Sequence, residues 1–254
     1  MESHEPEDYA RALLNHPDIQ HSKDIEQIAA KLRLSIRDVD SAKFEGALVR
    51  IARSSEGIIA LKRNFREAGR RRFTLAHEIG HFILPGHGQD ECYCTSAQIE
   101  SWRKDAVRRH EFEANRFASE LLLPSKLLYP LVNAKELTLA MVTELALEFD
   151  TSLTATAVKS VEVTEECCAV VCSVGRKVKW VRKSENFHYF VPNTMLGNDA
   201  MAGGLFDSDS VRQAEGRVLA GSWIDDSKID GRKEIWEESI AMPFYSMVLT
   251  ILTV

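Results

Sequence analysis

Residues 77 to 81 read His77-Glu78-Ile79-Gly80-His81, and this H-E-x-x-H box constrains the chain more than any other stretch. Positions four apart share a face on an α-helix, where they lie one above the other. There both imidazoles can reach one metal ion from one side, with Glu78 beside them to handle a water at the metal. The box therefore implies a helix, a zinc ion and hydrolysis of a peptide bond. Chance supplies the pattern in about one chain in a hundred of this size. The flanking sequence must then carry the helix, and a third ligand must exist.

The flanks carry the helix. Phe73, Ala76, Ile79, Gly80 and Ile83 recur at helical spacing and predict a buried stripe, with His77, His81 and Leu84 on a separate line. Pro85 and Gly86 stop the helix. Gly80 costs helix propensity, which suggests that something packs close against the backbone there.

A second helix, residues 106 to 123, ends at Pro124 and buries a stripe through Phe112, Phe117, Ala118, Leu121 and Leu122. It offers two glutamates as third ligand. Glu111 lies on a line with Asn115, Ala118 and Leu122 and borders the buried face. Glu113 lies with Arg116 and Glu120 on a polar line, where an ion pair is its plain role. Glu111 is favoured because Asn115, one turn later, could hydrogen-bond a ligand imidazole and fix its tautomer. Two histidines and a glutamate leave a fourth position open, the catalytic rather than the structural arrangement for zinc.

The two segments R-F-T-L-A-H-E-I-G-H-F-I-L and E-F-E-A-N-R-F-A-S-E-L-L-L-P resemble the ImmA/IrrE family of bacterial metallo-endopeptidases. The family's second motif, E-x-x-A-N-x-F-A-x-x-L-L-x-P, is matched by Glu111, Ala114, Asn115, Phe117, Ala118, Leu121, Leu122 and Pro124. The resemblance spans roughly residues 20 to 165 and leaves the C-terminal third outside. It implies Zn2+ held by His77, His81 and Glu111, with Glu78 catalytic. It also implies a protein substrate, a helix-turn-helix repressor whose cleavage induces stress, phage or mobile-element genes. The competing expectation is a zinc-containing binding module that sequesters a repressor or toxin partner without cutting it. For the oxyanion, His87, Tyr93, His110 and Tyr129 are all candidates, and the sequence does not choose among them.

A net charge of −6 and a pI of about 5.8 give no broad electrostatic footprint for nucleic acid. The acidic N-terminus lacks the apolar core of a signal peptide, and no apolar run approaches a membrane span. A soluble cytoplasmic protein is expected. Five cysteines without a C-x-x-C pair argue against a disulfide framework or a zinc ribbon. Cys167, Cys168 and Cys172 read as small hydrophobes. Cys92 and Cys94 read as thiols of a polar loop, inert in the plain reading and redox-active or metal-binding in the sharper one.

The fold expected is α+β: a zincin-like metallopeptidase domain over residues 1–133, a helix-turn-helix-like segment over 134–165 and a mainly antiparallel β region over 166–254. In the first, a helix at Asp24 to Arg33 leads past Leu34 to Asp40 into strands at Ala47 to Arg53 and Gly57 to Lys62. IAAKLRLSIRDVD has the look of a helix-turn-helix but feeds directly into those strands. The basic run Arg63, Arg66, Arg70, Arg71 and Arg72 is either a solvated helix start, poorly placed for the helix dipole, or a hold on an acidic or backbone part of the substrate. Helices follow at Ser125 to Val132, Leu137 to Phe149 and Leu153 to Val161. A DNA-reading second helix would need cations, and only Lys159 is offered, so packing or substrate docking is favoured. Strands are expected at Ala169 to Ser173, Val178 to Arg182, Phe187 to Val191, Arg217 to Ile224, Glu234 to Met242 and Ser246 to Val254, the first two joined as a hairpin through Gly175-Arg176-Lys177. A loop is expected at Gly197 to Ser210. Trp180, Trp223, Trp236, Phe187, Tyr189 and Phe190 are expected to build a core or to line a ligand pocket. In some relatives this region is sensor-like.

Overall fold

A computed structural model describes residues 5–19, 24–51, 54–65, 67–87, 92–94, 109–197, 199–208 and 210–254, with 92–94 as backbone alone. The chain divides into two compact units: Met1–Pro124 with Phe149–Ser152, and Ser125–Glu148 with Leu153–Val254. The class is mixed α+β, as the sequence predicts. No helix of the described residues is long and apolar enough to cross a membrane.

In the first unit, helix α1 (Pro6–Leu14) starts from a capping box between Glu5 and Asp8 with Pro6 at its first position. Helix α2 (Ile25–Lys31) starts from Asp24, whose side chain accepts from the Glu26 amide. A four-stranded sheet then forms in the order β1-β3-β2-β4. Strand β1 (Leu34–Val39) runs parallel to β3 (Gly57–Lys62), while β2 (Gly46–Arg50) is antiparallel to both β3 and the short β4 (Cys92–Cys94). The helix-turn-helix look of IAAKLRLSIRDVD thus resolves as helix and strand. Cys92 and Cys94 belong to a strand, which corrects the loop expected for them: the backbone at 92–94 pairs with Leu48, Ala47 and Gly46.

Helix α3 (Ala68–Ile83) carries the H-E-x-x-H box across this sheet and against α4 (Arg109–Leu122). Its end is set by Pro85, which forces Leu84 into the extended region (ψ 134°), and by Gly86 at φ 79°. Gly80 marks the crossing with α4. A Cβ there would meet Phe117 Cδ1 at 3.0 Å and Ala114 Cα at 3.3 Å, so the close approach predicted from that glycine is present. Ile59, Leu61, Leu75, Ala76, Ile79, Phe117 and Ala118 form the core between sheet and helices.

The basic start of α3 is neutralised locally. Arg70 pairs with Glu45 at 2.9 Å, Arg71 with Glu26 and with Asp38 at 3.3 Å, and Arg72 with Asp150 at 3.3 Å. These carboxylates offset the unfavourable dipole interaction, and they favour the structural role for these arginines over a substrate hold. Arg66 lies outside the described residues, as do residues 52–53 and the expected first residues of α4, 106–108.

In the second unit, α5 (Ser125–Val132), α6 (Leu139–Glu148) and α7 (Leu153–Val163) accompany an antiparallel sheet ordered β6-β5-β9-β8-β7. Strands β5 (Cys168–Val174) and β6 (Lys177–Lys183) join through Gly175 and Arg176, both at positive φ (55° and 63°), the two-residue turn that suits a hairpin. Residues Cys168 to Ser173 of β5 are all buried: Ala169 and Val171 enter the aromatic core on one face, and α7 packs against the strand. Lys159, the single cation of α7, is 4% exposed, so that helix presents no basic surface.

Four expectations in this unit are corrected. Phe187 to Val191 is not a strand. Its backbone bonds to scattered partners, Ser184 and Asp226 among them, while Phe187 and Val191 anchor it in the core. The stretch Gly197 to Ser210 contains a short helix, α8 (Met201–Leu205). Its opening amides, Met201 and Ala202, donate to the buried carboxylate of Glu237, which also accepts from the Trp223 indole and the Ser239 hydroxyl. Of the six aromatics, Phe187 and Trp223 are buried, whereas Phe190 and Trp236 are exposed. Strand β7 (Gln213–Leu219) starts and ends earlier than expected, β8 (Glu234–Met242) matches, and β9 is Met247–Thr253.

Candidate metal centre

Helix α3 brings His77 and His81 to one side because they are four residues apart, and α4 crosses at Gly80 to deliver Glu111 between them. The Nε2 atoms of His77 and His81 are 3.0 Å apart. Glu111 places Oε2 at 3.3 Å from His77 Nε2 and Oε1 at 3.5 Å from His81 Nε2. A tetrahedral zinc about 2.1 Å from each donor needs donors separated by about 3.4 Å. The observed separations are of that size, so the residues fit such an ion.

All of these groups are buried. His77 and Glu78 are 0% exposed, His81 2%, Glu111 7% and Asn115 0%. A polar cluster in a core at this density needs an occupant or a complete hydrogen-bond network. Asn115 Oδ1 lies 2.9 Å from His77 Nδ1, which leaves Nε2 of that ring for a metal. Burial, and then the neighbouring His77, His87, His110 and Arg50, pushes the His81 imidazole down to about 2. That ring stays neutral and retains its lone pair.

Glu78 points toward strand β2. A Cβ at Gly46 would fall 2.4 Å from Glu78 Oε1 and 2.7 Å from Thr74 Cγ2, so only glycine leaves room for this carboxylate against the strand. No sequence periodicity flagged Gly46. A residue without a side chain can be recognised as making space only once its neighbour is known.

Glu113, the competing glutamate, turns away from the cluster. It accepts from His87 Nε2 at 2.8 Å and from Arg109 Nε at 2.7 Å. Burial alone would raise its carboxyl, but these two bonds outweigh burial and hold it low. The polar line expected for Glu120 is also corrected: Glu120 is 0% exposed, with Arg11 at 3.5 Å. Of the oxyanion candidates, His87 sits behind His81 with the two Nδ1 atoms 3.1 Å apart. His110 is exposed, its ring 4.4 Å from that of His87. The Tyr129 hydroxyl bonds Glu165 in the second unit, and the Tyr93 side chain lies outside the described residues.

One further residue was not foreseen. Arg50, at the end of β2, donates from a single guanidinium nitrogen to the carbonyls of His81 (2.8 Å), Phe82 (2.7 Å) and His87 (3.1 Å). It caps the C-terminus of α3, where a cation suits the helix dipole.

The sequence profile of the peptidase M78 family, described as an IrrE N-terminal-like domain, matches residues 21–160. The chain belongs to this family. The match takes in both helices of the His–His–Glu cluster, so the cluster lies within a metallopeptidase-family domain of zincin-like fold. No curated protein matches the chain. Among solved structures, a Mycobacterium tuberculosis transcriptional regulator aligns with a TM-score of 0.60 at 11% identity, over 99% of this chain and 76% of that one. At that identity the likeness is one of fold.

Proposed function

We propose that this M78-family chain is a zinc-dependent endopeptidase whose metal ligands are His77, His81 and Glu111 and whose general base is Glu78. The observation that carries the reading is the spacing of the three donors, 3.0 to 3.5 Å, in a buried cluster. When bound, the ion would supply Lewis acidity to the scissile carbonyl and lower the pKa of a water, so that the water loses a proton readily and becomes nucleophilic. His77 and His81 present their Nε2 atoms in fixed tautomers, and Glu111 contributes the compensating negative charge. Glu78, next to His77 in the chain and held in the space beside Gly46, takes a proton from the attacking water and delivers it to the leaving amide nitrogen.

The substrate class we propose is a helix-turn-helix transcriptional repressor, which the family resemblance implies and the protein substrates of peptidases accommodate. The domain division read from the sequence then assigns catalysis to residues 1–133, with residues 134–165 available for docking and 166–254 for sensing. The acidic charge and the burial of Lys159 support a protein rather than a nucleic-acid partner. The test incubates the zinc-loaded protein with candidate helix-turn-helix repressors, any encoded by an adjoining gene among them, and follows fragments by mass spectrometry, with Glu78→Gln in parallel. Cleavage by the wild type alone supports the reading. A stable complex with both forms and no fragments would favour sequestration without cleavage instead.

A further inference from the structure

His81 has two ring nitrogens, and the proposed centre uses one. Its Nε2 faces His77 and Glu111, and its Nδ1 faces His87 Nδ1 at 3.1 Å. A neutral imidazole that gives Nε2 to a metal carries its single proton on Nδ1. His81 must then donate to His87, and His87 Nδ1 must accept. A neutral His87 that accepts at Nδ1 carries its own proton on Nε2, which lies 2.8 Å from Glu113 Oε2. The other oxygen of Glu113 accepts from Arg109 Nε at 2.7 Å. Every proton in the chain is assigned by its neighbour, and each donor meets an acceptor.

We infer that His87 and Glu113 are positioning residues that fix the tautomer and orientation of His81, a histidine–carboxylate relay matching the role of Asn115 behind His77. This deepens the metal-centre reading and rests on it. The relay is well anchored. His87 is 5% exposed, and Arg50 holds the carbonyls of both His81 and His87. The two ligand histidines therefore have unlike supports, a single amide for one and a two-residue relay for the other.

His87, His110 and Glu113 also place three ligand atoms within 4.8 Å of one another, which raises the alternative of a second cation. The proton assignment weighs against it. A metal on His87 Nε2 would displace the proton given to Glu113 while His81 still needs Nδ1 as acceptor, so His87 would have to become an anion. Arg109, already on Glu113, opposes a cation at the same place.

The test measures zinc affinity by competition with a chromophoric chelator, and folding by thermal melts of the metal-free forms. His87→Phe and Glu113→Leu, each of which removes an acceptor from the relay, should each weaken zinc binding about 10- to 100-fold, the size typical of lost outer contacts to metal ligands. His87→Asn puts an amide oxygen where Nδ1 was, as Asn115 does for His77, and should restore most of the affinity. In that background, Glu113→Leu should have no further effect, because the relay no longer passes through it. Wild-type affinity in Glu113→Leu, or an equal loss from it in both backgrounds, would overturn the relay. So would a second equivalent of zinc in the wild type that Glu113→Leu abolishes. If the wild type binds no zinc while its melt is cooperative, the metal-centre reading fails and the relay falls with it.

Discussion

Asn115 Oδ1 sits 2.9 Å from His77 Nδ1, one turn along α4 from Glu111, so one helix supplies both a proposed ligand and the support of another. The amide accepts and cannot ionise, so the His77 tautomer is fixed over a wide pH range. Asn115→Ala should therefore weaken zinc binding about 10- to 100-fold, while Asn115→Asp, which still accepts, keeps most of it. Chelator competition reads both. Equal affinity in the alanine variant would remove this role from Asn115.

Gly46 gives a different signature. The atoms that an added Cβ would meet are side-chain ends, Glu78 Oε1 at 2.4 Å and Thr74 Cγ2 at 2.7 Å, so the fold can yield but Glu78 must move. Gly46→Ala should bind zinc nearly as the wild type does and lose peptide cleavage by about a hundredfold or more, the scale of a displaced general base. Metal affinity and kcat/KM, measured on the same preparation, separate the two effects. A variant that cleaves normally would show that the position of Glu78 against β2 does not matter.

His81 also links the fold to pH. In the folded, metal-free protein its imidazole titrates only near 2, whereas in the unfolded chain it titrates near 6.5. Between those values the unfolded state binds more protons, so stability falls as pH drops through about 6.5 and is unaffected by this group above it. The metal-free Tm should be level above about pH 7 and decline below, less steeply in His81→Asn. A Tm that rises between about pH 7 and 5 would contradict the assignment.

Arg50 is predicted to matter more than a half-buried cation usually does. Its three carbonyl acceptors sit where α3 ends and His87 begins. Arg50→Met keeps much of the stem but orphans those carbonyls, at a cost on the order of 2 kcal/mol. Denaturant melts measure that cost, and zinc affinity should fall with it because His81 and His87 lose their shared anchor. An unchanged midpoint would assign the cap to solvent.

Among the cysteines, Cys168 is buried, and burial pushes its thiol up to about 12. Peptide mapping after iodoacetamide at about pH 8 should find Cys168 unmodified in the folded protein and modified after denaturation. Labelling of the native chain at Cys168 would show that β5 opens.

What the sequence disclosed and what it hid follow from the range of the interactions. The box, the placing of Glu111 rather than Glu113 beside the two histidines and the amide of Asn115 are matters of helix face, and the stop at Pro85 is the constraint a proline puts on the residue before it. Helix face is set within a few residues. Gly80 could be read because a glycine inside a helix is locally costly. Gly46, Arg50 and the relay through His87 depend on which strand end and which loop meet α3, and no local period encodes that. Glu237 is a similar case. On β8 it reads as one of several strand glutamates, yet it collects the amides that open α8 and the Trp223 indole. Phe187 to Val191 misled in the opposite direction, because apolar spacing that suits a strand also suits an irregular segment pinned by two buried side chains.

The central claim is that His77, His81 and Glu111 hold one metal ion, and zinc content after exhaustive dialysis tests it most directly. Elemental analysis should find one zinc per chain in the wild type and in Glu78→Gln, and almost none in Glu111→Gln. A folded wild type without zinc, or a Glu111→Gln variant that retains a full equivalent, would contradict it.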